Sequence, residues 1–208
     1  MDENSKKIMN VSVNGILNPG DVGPGMSVAY ACLCVPIWAN AMGFGNTEGF
    51  ALTMGVVQLG YFVLYLVCGM NLLKCGNTLS GGVYVIFSAA FGLFGGLGNI
   101  GTAVSALKGI PYDGMPCAVA FLVAGIYMLF MLPCVKNSSK GDFLVFFGAG
   151  VGVTAFGFAG LGVLAPALDM VGGFGVLVSG LSAFWCGVAG FLKNFGVNIP
   201  CGTPFLNS

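Results

Sequence analysis

The chain has no histidine, no arginine and very little charge of either sign. Seven lysines face seven acidic residues, and charged side chains make up 7% of the 208 positions, against about 25% in an ordinary soluble domain. The net charge of zero offers nothing specific to nucleic acid or to an anionic surface. Without histidine, and without a CxxC pair among the eight cysteines, a zinc or iron–sulfur site has no frame. Cys32, Cys34, Cys68, Cys117 and Cys186 fall inside apolar runs, where cysteine behaves as a small hydrophobe. There is no P-loop, no Ser/His/Asp grouping and no catalytic pair of carboxylates within the apolar runs. Neither an enzyme nor a cofactor is therefore expected.

What the chain does have is apolar length and glycine. It is 57% hydrophobic with 36 glycines, and its mean hydropathy is +0.94. That composition predicts an all-α integral membrane protein, because glycine lets helices approach closely where lipid supplies no hydrophobic drive. The first 17 residues are polar, carry Lys6 and Lys7, and lack the apolar core of a signal peptide. The reading is a polar tail over 1–17, a six-helix membrane domain over 18–195 and a C-terminal tail over 196–208.

The turn cluster Asn18–Gly25 delivers the chain to a first span near Met26–Met42, in which Pro36 should introduce a kink. A second span runs from about Phe50 to Leu73, long enough for a bilayer that takes about 20 residues. The polar break Lys74–Thr78 then turns the chain straight back, with Gly76 freeing the backbone. A third span follows from about Leu79 to Ile100 or beyond, a fourth from Cys117 to Val135, a fifth from Phe143 to Leu164 and a sixth from Val171 to Leu192. Six spans place Lys6, Lys7, Lys74, Lys136, Lys140 and Lys193 on one side and only Lys108 on the other. That asymmetry predicts cytoplasmic termini.

On this assignment every acidic and basic side chain lies in a tail or loop. Buried ionisable groups are the usual sign of an ion-coupled pump, so the expected pathway is lined by hydroxyls, amides, backbone and rings. It would select by width and hydrogen bonding. Candidate lining groups are Ser27 and Tyr30 on the first span, with Tyr84, Phe87, Ser88 and Phe91 at helical spacing on the third. Packing competes with a gate as the explanation of the aromatic stripe, and a serine in a membrane helix often bonds its own backbone. Asn77 and Thr78 open the third span. Asn18 precedes the first, on the same side. Either they cap their helices, or the two N-termini converge to hold an anion without a fixed cation.

Several segments together resemble the acetate uptake transporter family, which includes the succinate–acetate permeases and their fungal relatives. Asn18-Pro19 with Gly23 is similar to its first signature, and Gly76-Asn77-Thr78, seven residues after Gly69, to its second. Leu144–Phe147 fits its fifth span, and Gly180, Ser182, Ala183 and Asn198-Ile199-Pro200 with Gly202 fit its sixth span and tail. Departures are Asp21 for a proline, Leu79 for a phenylalanine, Leu72 for a glutamate and Tyr65 for a glutamine. The resemblance implies a six-helix bundle assembled as a homo-hexamer in the plasma membrane, with one pathway in each protomer. It implies passage of acetate or a related short-chain carboxylate such as succinate, proton-coupled or channel-like. The family's constriction maps onto Ser27, Phe87 and Ala149, two of them smaller here than in the family. The alternatives are a channel for an uncharged solute such as urea or ammonia, and a structural membrane protein with no pathway.

Overall fold

The computed structural model describes residues 22–44 and 47–204. Asn18, Lys6 and Lys7 therefore lie outside the described residues. Within them the chain is all helix and turn. The helices are α1 (Gly23–Ala41), α2 (Thr47–Lys74), α3 (Thr78–Phe87), a π-helical segment (Ser88–Phe94) and α4 (Gly95–Lys108). They are followed by α5 (Met115–Phe130), a 3-10 turn (Leu132–Val135), α6 (Lys140–Gly160) and α7 (Ala165–Lys193).

Local chemistry sets these boundaries. Asn77 accepts from the Ser80 N–H at 3.1 Å and caps α3, after Gly76 turns the chain at φ 81°. Ser139 caps α6 by accepting from the Asp142 N–H at 3.1 Å, while its hydroxyl donates to the Asp142 carboxylate at 2.7 Å. Prolines stand in the first turns of α1, α5 and α7, where a missing N–H leaves no bond unmade.

The third span takes the longer of its expected courses: α3, the π segment and α4 run on past Ile100 without a break to Lys108. The charged residues differ from the sequence expectation, because they are not all in tails and loops. Glu48, Lys74, Lys108, Lys140, Asp142, Asp169 and Lys193 all fall inside helices, close to their ends. Ser139 and Pro166 begin α6 and α7 ahead of the apolar runs that marked the spans.

Four of the helical stretches are long and apolar enough to cross a membrane: Gly49–Lys74, Thr78–Lys108, Lys140–Gly160 and Ala165–Lys193. Helix α5 is apolar but shorter, and α1, with 19 residues, interrupts its apolar run with Pro36, Asn40 and glycines. Large apolar side chains stay exposed along the outside, among them Val56, Val63 and Val67 of α2 and Phe174, Leu181 and Phe184 of α7. Such a belt fits a lipid-facing or subunit-facing surface rather than water.

Inside, α7 packs along both α1 and α6, α6 packs on α5, and α2 packs along the continuous α3–π–α4 rod. Glycines let the backbones meet. A Cβ on Gly152 would lie 2.7 Å from the Val176 nitrogen and 2.9 Å from the Gly172 carbonyl oxygen. Those are backbone atoms, which cannot swing aside. Gly152→Leu is expected to separate α6 from α7 and to lower stability by about 1–3 kcal/mol, the usual range for overpacking. Thermal unfolding in detergent measures it; an unchanged midpoint would show that the seam can open freely.

Candidate functional site

Two cavities lie at opposite ends of the bundle and share no lining residue. The first, about 120 Å³, opens toward the end carrying Lys74, Lys136, Lys140 and Lys193, between the start of α1, the start of α3 and the end of α7. The second, about 420 Å³, lies toward the end of α1 and the start of α7. Each has room for a small solute and some water.

The walls of the first cavity carry mainly hydroxyl groups and rings. Ser27, Tyr30, Tyr65, Ser80, Tyr84 and Phe87 all contribute, with Asp142 and Cys186 at its border. The Ser179 hydroxyl donates to the Val145 carbonyl at 2.7 Å. It is thereby left to accept from Tyr30, whose hydroxyl lies 3.0 Å away. This fixes the Tyr30 ring, which meets Phe87 edge-on at 6.2 Å. Tyr65 is completely buried and stacks parallel to Tyr84 at 5.8 Å. Its hydroxyl has no hydrogen-bond partner among the described residues. A buried hydroxyl without a partner costs about 1–3 kcal/mol, so this one calls for an explanation. Tyr65 belongs to the cavity wall, and a shift of its ring would bring the enclosed hydroxyl to a solute or water that could accept from it.

The second cavity is built around two carboxamides. Asn99 Nδ2 donates to Gln58 Oε1 at 2.6 Å, tying α4 to α2. Phe91, Phe121 and Phe156 supply its apolar surface, and Asn40 and Asp169 also border it.

Between the cavities the core closes. Phe87 lines the first and Phe91 the second, and their rings stack 5.0 Å apart at 12°. Leu33, Met128, Ala149 and Val153 belong to the same buried cluster. Phe91 sits within the π segment, and Phe87 immediately precedes it. Such wide turns recur at functional positions in helices.

Of the residues singled out from the sequence, Ser27, Tyr30, Tyr84 and Phe87 lie together on the first cavity. Ser27 and Ser88 also bond their own helices, at Gly23 O (3.0 Å) and Val85 O (2.7 Å). Ala149 is fully buried behind the wall and lines neither cavity. Asn77 and Thr78 are exposed at the start of α3 and line neither, whereas Ser80, one position beyond Leu79, does. Sequence reasoning missed Ser179, Met128, Gln58 and Asn99 as cavity or core residues, and it treated Tyr65 only as a departure from a family pattern. The available signal for Gln58 was a lone carboxamide in the middle of an apolar run.

Helices that can cross a membrane, opposed cavities and a closed aromatic middle define the class: a polytopic helical membrane bundle. Among solved structures, that of the bacterial acetate channel SatP has a similar fold. Its TM-score is 0.66 at 16% sequence identity, over 86% of this chain and 97% of that one. No protein-family model and no curated protein sequence matches the chain.

Proposed function

We propose that the protein conducts acetate-sized carboxylic acids across a membrane, along a path that runs through both cavities and is interrupted at Phe87 and Phe91. The observation that carries this reading is the pair of opposed cavities meeting at one stacked ring pair, in a fold like that of an acetate channel. Tyr30, Tyr65 and Tyr84 would offer phenols to a carboxyl group in the first cavity. Asn77 and Thr78 would stand at its entrance, and Ala149 would back its wall.

The charges favour passage of the solute together with its proton. Among the described residues no lysine lines either cavity, while Asp142 borders one and Asp169 the other. A bare anion would meet a like charge at both ends, and moving it through a low-dielectric interior is costly unless a partner compensates. Six spans with cytoplasmic termini, residence in the plasma membrane and a homo-hexameric assembly complete the proposal. The lysine asymmetry and the exposed apolar belt support them.

Purified protein in liposomes should take up labelled acetate, and uptake should rise as the outside is acidified. No uptake at acid outside pH would remove the carboxylic acid reading. A second reading, a channel for urea or ammonia, is favoured by the carboxamide pair in the second cavity. It predicts liposome swelling in urea instead.

A further inference from the structure

We infer that Gln58 and Asn99 form a recognition site for a neutral carboxyl or carboxamide group, distinct from the hydroxyl-lined cavity at the other end. The inference rests on reading the chain as a conduit for small carboxylic acids, and it names which form of the solute the second cavity accepts.

Gln58 is 2% exposed in the interior of α2, where a polar group is costly unless it is bonded. A purely structural role, hydrogen-bond glue between helices, accounts for one bond, Asn99 Nδ2 to Gln58 Oε1. It leaves the two N–H groups of Gln58 Nε2 without an acceptor and Asn99 Oδ1 without a donor among the described residues. Nor is Nε2 sealed in the core. The fully enclosed, unpartnered side-chain atoms are Trp38 Nε1, Tyr65 OH and Thr154 Oγ1. Nε2 is not one of them, and Gln58 lies on the cavity wall that a small solute would meet. Gly95 makes the space, since a Cβ there would lie 2.7 Å from Nε2.

A free donor and a free acceptor on two residues that line the same cavity are complementary to a planar group that carries both. A protonated carboxyl can accept from Gln58 Nε2 and donate to Asn99 Oδ1, and a primary carboxamide can do the same. A carboxylate can only accept, and would set an oxygen against Asn99 Oδ1. Charge acts in the same direction. Asp169 is the one charged side chain on these walls among the described residues; Lys108 and Asp113, in or beside the α4–α5 loop, do not line the cavity. The rings of Phe91, Phe121 and Phe156 would meet the apolar remainder of the solute.

Saturation-transfer NMR on the full-length protein in detergent tests this, with acetamide as the neutral probe and acetate, near neutral pH, as the anion. Wild type should give a clear acetamide signal and a much weaker acetate one. Gln58→Met and Asn99→Leu should each weaken acetamide binding about three- to tenfold, as expected for one lost hydrogen bond. Absence of an acetamide signal in wild type, or equal binding in the assembled variants, overturns the inference. If neither variant assembles, wild type decides, and acetate binding as well as acetamide defeats the proposal. Labelled-acetate uptake by wild type reads the conduit separately. Acetamide binding that depends on Gln58 and Asn99, without acetate uptake, leaves the site standing and removes the transported solute.

Discussion

Phe87→Ala combined with Phe91→Ala should join the two cavities and raise acetate flux about tenfold or more, since each 1.4 kcal/mol removed from a barrier is a factor of ten in rate. Selectivity should fall with it, so that succinate and other larger solutes enter liposomes that exclude them with wild-type protein. In the stacked pair a residue of one cavity wall touches a residue of the other. The rings also pack against Tyr30 and Phe121, and truncating a buried phenylalanine costs about 3–5 kcal/mol. The comparison is therefore made on the assembled fraction, with Phe87→Leu as a milder variant. Wild-type flux and selectivity in a well-assembled double variant would place the barrier elsewhere.

Tyr65→Phe should move stability and transport in opposite directions. Its hydroxyl is buried without a partner among the described residues, so removing it should leave the thermal midpoint unchanged or raise it. The gain would be on the order of 1 kcal/mol, the penalty of an unpaired polar group. Acetate flux should nonetheless fall about three- to tenfold, because the solute loses a donor worth about 1 kcal/mol. A purely structural phenol would lower both quantities or neither. If Tyr65→Phe is stable and transports as wild type does, the hydroxyl lies off the path.

The fold was largely legible because lipid imposes simple rules. Long apolar runs and the break at Lys74–Thr78 are local signals, and each produced a helix close to where the sequence put it. The site was legible only in part. Tyr84, Phe87 and Phe91 share one stretch of chain, so helical spacing revealed them. Tyr30 and Ser179 are separated by 149 positions, and Gln58 and Asn99 by 41. No periodicity connects such pairs. Tyr65 disappeared into an apolar run because tyrosine is as much ring as hydroxyl. Asp169 was read as a loop residue because Pro166 looked like the end of one helix when it begins the next.

The contact between α1 and α7 joins the first helix described to the last. During synthesis Tyr30 must wait for Ser179, and at about 5–20 residues per second the 149 intervening positions take about 7–30 s. Throughout that interval α1 lacks the neighbour whose Gly180 packs against Ala31 and Cys34. A chain cut short before α7 would keep that face open for as long as it survives. For this protein the vulnerable period is the delay before α1 meets α7, which makes biogenesis a race between the ribosome and the quality-control machinery.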